Sequence, residues 1–491
     1  MNKNIFNKYC IFIIFTFCII VLSAYTLTAE INVNDELWNF QNINKINNGF
    51  KIYKDANVII TPLFFYIGVI FLKIFGATLI SFKIYNIAIG SSFIILLFIL
   101  FSKLKLSKLS SVLYTLLLGI IILVVSYGGA NYNVLVCMLY ILGTLFYLKE
   151  NSFDKINNNI IQGIIIFLIF LTKQNVVIYY VLGMIISEIL LNKSFKIMFK
   201  NMFYKLLISF ILLLLFLLFL YLNNNLYNFI NIAILGMSEF TSHFSICFES
   251  LWNIGIVCII ITVVIMYITN KNLNVNKIVK SNIIKLLCLG ICLLFMMYPI
   301  INIYHSLLAS FLIYILGCYV LENILLMYNN KYINIIKKIL VFFLILLMIF
   351  ISIYSLITYV VYINANNCEE IPVYSYCIID KKIKSDILNI TDYIYKKEKK
   401  VIIFSDYAAL YMIPLNISNG IMDLPFIGNM GYNGENSMLN NIKKLKNCEV
   451  LIIKKEEKEK SFTQQSEIIW NYITNNYKKI GEIEKFNIYE F

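Results

Sequence analysis

The sequence contains no arginine, so all 41 of its basic residues are lysines. Histidine is represented by only 2 residues, proline by 5, and charged residues make up only 14% of the 491-residue chain. A soluble globular chain is roughly one quarter charged, so this composition speaks against a cytosolic enzyme. The lack of arginine excludes a bidentate guanidinium site for phosphate, and lysine, histidine or backbone groups would have to take that role.

Several motifs of cofactor and metal binding are also missing. The 11 cysteines include no CxxC pair, which removes the usual signature of a metal site. The chain has no DxD pair and no glycine-rich phosphate loop, so a nucleotide-sugar site is not expected. We therefore predict no metal centre and no cofactor, with a bound divalent cation kept as an alternative.

Apolar residues, in contrast, are abundant and clustered into long runs. They make up 60% of the chain and give a mean hydropathy of +0.79. Runs such as 206–222 and 339–361 are long enough to cross ~30 Å of hydrocarbon at about 1.5 Å per helical residue. The sequence thus predicts a polytopic α-helical membrane protein. We predict eleven spans, at residues 9–28, 80–102, 111–128, 133–148, 159–172, 174–192, 206–223, 251–269, 285–300, 306–327 and 339–362.

The lysines are distributed unevenly along the chain and indicate its orientation in the membrane. Residues 1–362 contain 24 lysines and 10 acidic residues, whereas residues 363–491 contain 17 of each. With a cytoplasmic N-terminus, 18 of those 24 lysines fall in inner loops, as the positive-inside rule requires. The net charge of +14 is therefore a topology signal and not a nucleic-acid-binding surface. We predict that the N-terminus is inside the plasma membrane and the C-terminus outside it.

Two apolar runs near the N-terminus leave alternatives open. The first run, at residues 9–28, could be a signal peptide that ends near Leu22-Ser23-Ala24 instead of a span. The run 59–75 is also apolar, but counting it as a span would reverse every later loop and place most lysines outside. We predict that it forms a helix that lies at the outer membrane surface or dips into it. Residues 29–79 then form the first extracytoplasmic segment.

The composition changes after residue 362. Residues 363–491 are more charged, and we predict that they form a small extracytoplasmic α/β domain behind the membrane domain 1–362. Cys368 and Cys377, at the start of that domain, are one candidate disulfide pair. The predicted elements are strands at 401–405 and 449–454, helices at 406–412, 437–446 and 464–477, and a terminal pair of strands at 479–491.

Acidic residues are rare in the membrane domain, so each one is informative. Asp35 and Glu36 follow the first span closely, and Asp55 lies in the same outer segment. A carboxylate that keeps its charge in a wet cleft at the membrane surface can act as a general base on a hydroxyl. The structural alternative is that Asp35 caps a helix over residues 36–46. We predict catalytic roles for these three acids and place Asp35 ahead of Asp55 and Glu36.

The order of motifs in the first outer segment resembles a known family. Its features are, in order, Asn34-Asp35-Glu36-Leu37-Trp38, Tyr53-Lys54-Asp55, Thr61-Pro62-Leu63-Phe64-Phe65, a Phe75-Gly76 ending and a span that opens with Lys83. This order resembles the GT-C superfamily of membrane glycosyltransferases, in particular the bacterial branch related to protein O-mannosyltransferases and aminoarabinose transferases. The chain departs from that family in having Thr61-Pro62 for a doubled proline and Lys83 for an arginine.

Two later segments fit the same resemblance. Leu171-Thr172-Lys173-Gln174 is similar to a Thr-Lys turn that joins two central spans, and Tyr298-Pro299 with Tyr304-His305 is similar to a Tyr-Pro…His segment. The resemblance implies that Lys83, Lys173, Tyr298 and His305 contact the phosphate of a lipid-linked donor. The alternatives are a snorkelling interfacial lysine for Lys173 and a hydrogen-bonded interfacial histidine for His305.

The same resemblance implies an activity. Family members take a sugar from a polyprenyl-phosphate carrier, and Asp35 would then draw a proton from an acceptor hydroxyl that attacks the anomeric carbon with inversion. The acceptor would be a glycan, a lipid or a protein. Two other classes remain as alternatives, namely a transporter or flippase of lipid-linked saccharides and a polysaccharide polymerase or ligase. Transporters usually carry charged or broken helices at mid-membrane, whereas the notable aspartates here lie at the outer edge.

Overall fold

Helices dominate the structure, which is a computed structural model. It describes residues 16, 19–33, 35–125, 132–148, 155–191, 195–241, 245–270, 276–327, 331–365, 369–397, 399–405, 407–418, 430–445, 448–454 and 467–490. The helices that precede residue 366 are α1 (Ile19–Thr28), α2 (Asp35–Asn47), α3 (Leu63–Phe75), α4 (Leu79–Lys103), α5 (Lys108–Val125), α6 (Tyr132–Leu148), α7 (Lys155–Thr172), α8 (Val176–Leu190), α9 (Phe195–Leu222), α10 (Leu226–Phe229), α11 (Gly236–Thr241), α12 (Phe248–Thr269), α13 (Lys277–Leu294), α14 (Ile303–Met327) and α15 (Lys331–Ala365).

Over the described residues, each of the eleven predicted spans overlaps one of these helices, although α13 ends at Leu294, six residues before the predicted end of its span. Six of the helices, within α4, α9, α12, α13, α14 and α15, are long and apolar enough to cross a membrane. The other five are shorter over the described residues, so the count of eleven stays a prediction. Helices suit the hydrocarbon layer of a membrane, because all backbone N–H and C=O groups there have to be hydrogen-bonded within the protein.

The helices pack closely around α13. Both α8 and α14 lie against α13, while α4 packs on α5 and α6, and α7 packs on α9. Gly183 allows α8 to approach so near that an added Cβ would stand 2.9 Å from the Leu289 Cα atom of α13. In contrast, α9, α12 and α15 expose many large apolar side chains on their outward faces, as helices in contact with lipid do.

Buried polar networks join the helices at the end opposite α2. Lys337 on α15 pairs with Glu322 on α14 at 2.6 Å, and Ser110 donates to the same carboxylate at 2.7 Å. On the neighbouring helices, the Tyr147 hydroxyl donates to Glu188 at 2.7 Å. Glu188, which no motif explained, thus helps to hold α8 against α6.

The apolar run 59–75 forms α3, which begins after Pro62 and ends at Gly76, where φ is +92°. One side of α3 buries Phe64, Phe65 and Leu72, and the Tyr85 hydroxyl of α4 donates to the Phe64 carbonyl at 2.8 Å. The other side leaves Tyr66, Ile70 and Ile74 exposed. A helix of 13 residues with an exposed apolar side fits the predicted position at the membrane surface.

Two short strands precede the C-terminal residues, and β1 (Ser245–Ile246) pairs in parallel with β2 (Ile300–Ile301). The C-terminal residues form an α/β unit with a four-stranded sheet of β3 (Lys400–Phe404), β4 (Cys448–Ile453), β5 (Lys478–Ile483) and β6 (Phe486–Glu490), in the order β3-β4-β6-β5. β3 and β4 are parallel, and the other neighbouring pairs are antiparallel. Each predicted strand and helix is present, with its boundaries shifted by a few residues. The elements are a 3₁₀ turn (Pro372–Tyr374), α16 (Lys381–Tyr395), β3 (Lys400–Phe404), α17 (Ala408–Leu415), α18 (Gly434–Ile442), β4 (Cys448–Ile453), α19 (Glu467–Asn476), β5 (Lys478–Ile483) and β6 (Phe486–Glu490).

This α/β unit packs against the first outer segment. The Ile31 amide donates to the Ile378 carbonyl at 3.3 Å, and Asn48 at the other end of α2 donates to the Asn416 side chain at 2.7 Å. The unit therefore lies at the same end of the helices as α2. Cys368 is outside the described residues, so its pairing with Cys377 stays a prediction.

Candidate functional site

The start of α2 is fixed by Asn32. Its side-chain Oδ1 accepts the Asp35 amide at 3.1 Å, and its carbonyl accepts the Leu37 amide at 3.2 Å. In return, the Glu36 carboxylate accepts the Asn32 amide at 3.1 Å. This reciprocal arrangement resembles a capping box. Asn32 therefore caps the helix, and Asp35 is the first helical residue and not the cap.

Asp35 combines an exposed side chain with a crowded environment. Its carboxylate keeps accessible surface, yet the surrounding protein displaces enough water to raise its pKa above the ordinary value. It is close enough to Tyr132, at the start of α6, to interact with it electrostatically. A carboxylate with a raised pKa suits proton abstraction.

Lys173 reaches Tyr132 and Asn133 from the turn between α7 and α8. The turn is closed by hydrogen bonds from the Lys173 amide to the Ile169 carbonyl at 2.9 Å and from the Val176 amide to the Lys173 carbonyl at 3.1 Å. The ammonium donates to Asn133 Oδ1 at 2.7 Å and stands 5.6 Å from the Tyr132 ring centroid. Burial lowers the pKa of Lys173 to about 8. The lysine is thus held in place by Asn133 and Tyr132.

His305 approaches this group from the first turn of α14. Its amide donates to the Asn302 side chain at 2.8 Å, which fixes the start of the helix. The ring is half-buried and near enough to Lys173 to interact electrostatically. Among the described residues, its buried Nδ1 has no hydrogen-bond partner. That ring nitrogen is therefore free to bind a ligand.

The structure thus brings three of the predicted residues, Asp35, Lys173 and His305, to one end of the helices. Tyr132 and Asn133 complete the group and were missed by the sequence analysis. The sequence feature that could have indicated them is the polar Asn-Tyr-Asn cluster at residues 131–133, where the predicted span 133–148 begins. We call Asp35, Tyr132, Asn133, Lys173 and His305 the outer cluster.

Glu36 and Lys83 lie apart from the outer cluster. Lys83 is completely buried on α4, and its ammonium donates to the Ala29 carbonyl at 2.7 Å and stands 4.0 Å from Glu36 Oε1. Burial raises the pKa of Glu36, and the nearby ammonium opposes that rise. Both side chains therefore contact other groups of the protein.

Asp55 and Tyr298 are likewise not part of the outer cluster. The Asp55 carboxylate accepts the Lys51 amide at 2.7 Å and thereby closes a turn. It also partly offsets the effect of burial on Lys45, whose pKa is lowered to about 7. Tyr298 precedes a cis peptide bond to Pro299, is largely exposed, and lies near Tyr179 on α8. Their predicted roles in catalysis and donor binding stay predictions.

A metal centre has no support among the described residues. They contain no group of three or more histidine, cysteine, aspartate or glutamate side chains arranged to hold a metal ion. The outer cluster instead offers one carboxylate, one ammonium and one imidazole. Chemically, a carboxylate can accept a proton, and an ammonium and an imidazole can stabilise a phosphate.

Comparisons with known proteins support the fold at the level of structure only. No protein-family model and no curated protein sequence matches the chain. The crystal structure of ArnT from Cupriavidus metallidurans bound to undecaprenyl phosphate is similar with a TM-score of 0.58 and 9% identity, covering 97% of both chains. The apo ArnT structure gives the same TM-score and identity over 98% of both chains. The oligosaccharyltransferase of Archaeoglobus fulgidus is similar at a TM-score of 0.43 and 13% identity, covering 89% of this chain and 68% of that one.

The likeness to ArnT extends over nearly the whole chain, including both the helical part and the C-terminal α/β unit. It confirms the fold that the motifs of the first outer segment implied. The chain therefore shares the fold of the ArnT structures over nearly its whole length.

Proposed function

We propose that this protein transfers a sugar from a polyprenyl-phosphate-linked donor to an acceptor hydroxyl at the outer face of the plasma membrane. The observation that carries the proposal is the outer cluster, in which the Asp35 carboxylate interacts electrostatically with Tyr132 and the Lys173 ammonium stands 5.6 Å from the centroid of the Tyr132 ring. In this proposal Asp35 is the general base, and Lys173 and His305 bind the donor phosphate. Glycan, lipid and protein hydroxyls are all chemically suitable acceptors.

The proposed reaction is a single displacement. Asp35 accepts the proton of the acceptor hydroxyl while that oxygen attacks the anomeric carbon from the face opposite the carrier. The bond between the anomeric carbon and the phosphate oxygen breaks, and the electron pair leaves with the polyprenyl phosphate. Lys173 stabilises this growing negative charge, and the configuration of the anomeric carbon is inverted. Phosphate is a good leaving group, so positioning and electrostatics supply most of the catalysis.

Three observations favour a lipid-linked donor over a nucleotide sugar. The ArnT structure with the same fold contains undecaprenyl phosphate. The exposed apolar side of α3, which belongs to the first outer segment, fits contact with a membrane surface. The sequence has neither a DxD pair nor a glycine-rich phosphate loop.

The proposal is tested with the purified protein reconstituted in vesicles and a polyprenyl-phosphate donor that carries a radiolabelled sugar. We expect label to move to an acceptor hydroxyl, and the product to have inverted configuration. The Lys173→Met variant should bind undecaprenyl phosphate more weakly. Movement of the intact donor across the membrane without cleavage would instead support a flippase, and chain extension of the lipid-linked saccharide would support a polymerase or ligase.

The same assay tests the expected independence from cofactors. We expect transfer to continue in the presence of EDTA, because the proposed chemistry uses only side chains of this chain. Loss of transfer in EDTA and its recovery with a divalent cation would contradict this part of the proposal.

A further inference from the structure

A buried ion pair lies directly behind the residue that we propose as the base. Lys83 on α4 has no exposed surface, Glu36 on α2 is 2% exposed, and their charged atoms are 4.0 Å apart. Glu36 is the next residue after Asp35, so its side chain points about 100° away from that of Asp35 around the helix. The pair therefore contacts a different side of α2 from the one that carries Asp35.

The same two side chains also hold the tether that connects α1 to α2. The Lys83 ammonium donates to the Ala29 carbonyl at 2.7 Å, and Glu36 accepts the Asn32 amide at 3.1 Å. Asn32 in turn caps the helix through the Asp35 amide. A chain of direct contacts thus runs from α4 through the tether to the backbone of Asp35.

A lysine and a glutamate cost free energy when they are buried, and hydrophobic residues of similar size would pack there without that cost. A pair at 4.0 Å with further bonds to the tether is better suited to fixing geometry than to adding stability. The outer cluster needs such a fixed geometry, because a displacement of about 1 Å at a reacting group can lower a rate by about 10²-fold.

We propose that Glu36 and Lys83 are positioning residues, which hold the tether and the first turn of α2 so that Asp35 meets the acceptor hydroxyl. Lys83 then acts through Ala29 and Glu36 and does not touch the donor phosphate. This inference rests on the proposed function for the role of Asp35, but its structural part is measurable without any transfer activity.

The test compares Lys83→Met, Glu36→Gln and the double variant with the parent protein. Removing one partner leaves a buried charge without compensation, whereas removing both avoids that problem, so the double variant should fold even if a single variant does not. We expect kcat to fall by about 10²-fold in each variant, with the double variant no worse than the singles. The KM for the donor and the binding of undecaprenyl phosphate should stay unchanged.

Hydrogen–deuterium exchange of the peptide covering residues 29–40 supplies the readout that is independent of activity. We expect faster exchange in Lys83→Met and in the double variant, because the tether loses the hydrogen bond from Lys83 to the Ala29 carbonyl. The matched control is the remote buried pair Lys337 and Glu322, tested as Lys337→Met and as the double variant with Glu322→Gln. These variants should leave the exchange of that peptide and the kcat of the folded protein unchanged.

Two results would overturn the inference. One is weaker binding of undecaprenyl phosphate to Lys83→Met, similar to that of Lys173→Met, which would make Lys83 a donor contact. The other is unchanged exchange of residues 29–40 in the double variant. If the parent protein transfers no sugar at all, the proposed function fails, and the exchange measurement still decides whether the pair holds the tether.

Discussion

Asp35 and Lys173 carry opposite charges and both interact with Tyr132, but their surroundings change their proton affinities in opposite directions. Crowding raises the pKa of the Asp35 carboxyl, and burial lowers the pKa of Lys173 to about 8. The base form of Asp35 exists above its pKa, while the cationic form of Lys173 exists below its own. Both required forms coexist only in the pH range between these two values.

This difference predicts a bell-shaped dependence of kcat/KM on pH. The acid limb should report protonation of Asp35, and the alkaline limb should lie near pH 8, where Lys173 loses its charge. Lys173→Arg should move the alkaline limb to higher pH, because a guanidinium keeps its proton beyond roughly pH 12. Lys54→Arg, at an exposed position in the first outer segment, is the matched control and should not move the limb. An alkaline limb that stays in place in Lys173→Arg would contradict the role of Lys173.

Part of the outer cluster could be predicted from the sequence, and the rest could not, for physical reasons. Asp35, Lys173 and His305 stood out because charged residues and histidines are rare beside apolar spans. Tyr132 and Asn133 did not, since asparagine and tyrosine are common throughout this chain. The contact of Lys83 with Glu36 and Ala29 joins residues about fifty positions apart, which no local pattern can show.

At the scale of helices and strands, periodic patterns located nearly every element of the C-terminal unit. Strands β3 and β4 begin one residue before their predicted positions. Elements whose formation depends on distant contacts were missed. The π-helix Ile230–Leu235 is one example, since the Gln174 side chain donates to its Ala233 carbonyl at 2.6 Å. The pairing of β1 (Ser245–Ile246) with β2 (Ile300–Ile301) is another.

The contact between α8 and α13 gives a prediction about stability. Gly183→Ala would place a Cβ atom 2.9 Å from the Leu289 Cα atom and 3.2 Å from the Cys288 carbonyl oxygen, so the two backbones would have to separate. We expect a loss of about 1–3 kcal/mol, measured as a lower midpoint of thermal unfolding in detergent.

The matched control for this substitution is Gly255→Ala on α12. An added Cβ there meets nothing within 4 Å, and alanine favours a helix over glycine by about 1 kcal/mol. This variant should keep or raise the unfolding midpoint. Equal midpoints for the two variants would show that the close approach of α8 to α13 is not important for stability.

At the scale of the whole molecule, α2 and the C-terminal unit lie at one end of the helices, and the Glu322–Lys337 pair lies at the other. The lysine distribution predicts which end faces the cytoplasm. Single-cysteine labelling should find positions 105, 155, 277 and 337 inside, and positions 35, 243 and the C-terminus outside. His243 is outside the described residues, so its side is predicted from the sequence alone. A cytoplasmic C-terminus would contradict the topology and the outer location of the site.

The measurement that tests the central claim most directly is the rate of sugar transfer by Asp35→Asn from a polyprenyl-phosphate donor. Asparagine keeps the size of the side chain but removes the basic oxygen. We predict that the rate falls by roughly 10²-fold or more, while binding of undecaprenyl phosphate is unchanged. Asp392→Asn, on the exposed surface of α16, is the matched control and should transfer sugar at the parent rate. Transfer by Asp35→Asn at near the parent rate, with Asp55→Asn or Glu36→Gln inactive, would contradict the assignment of Asp35 as the base.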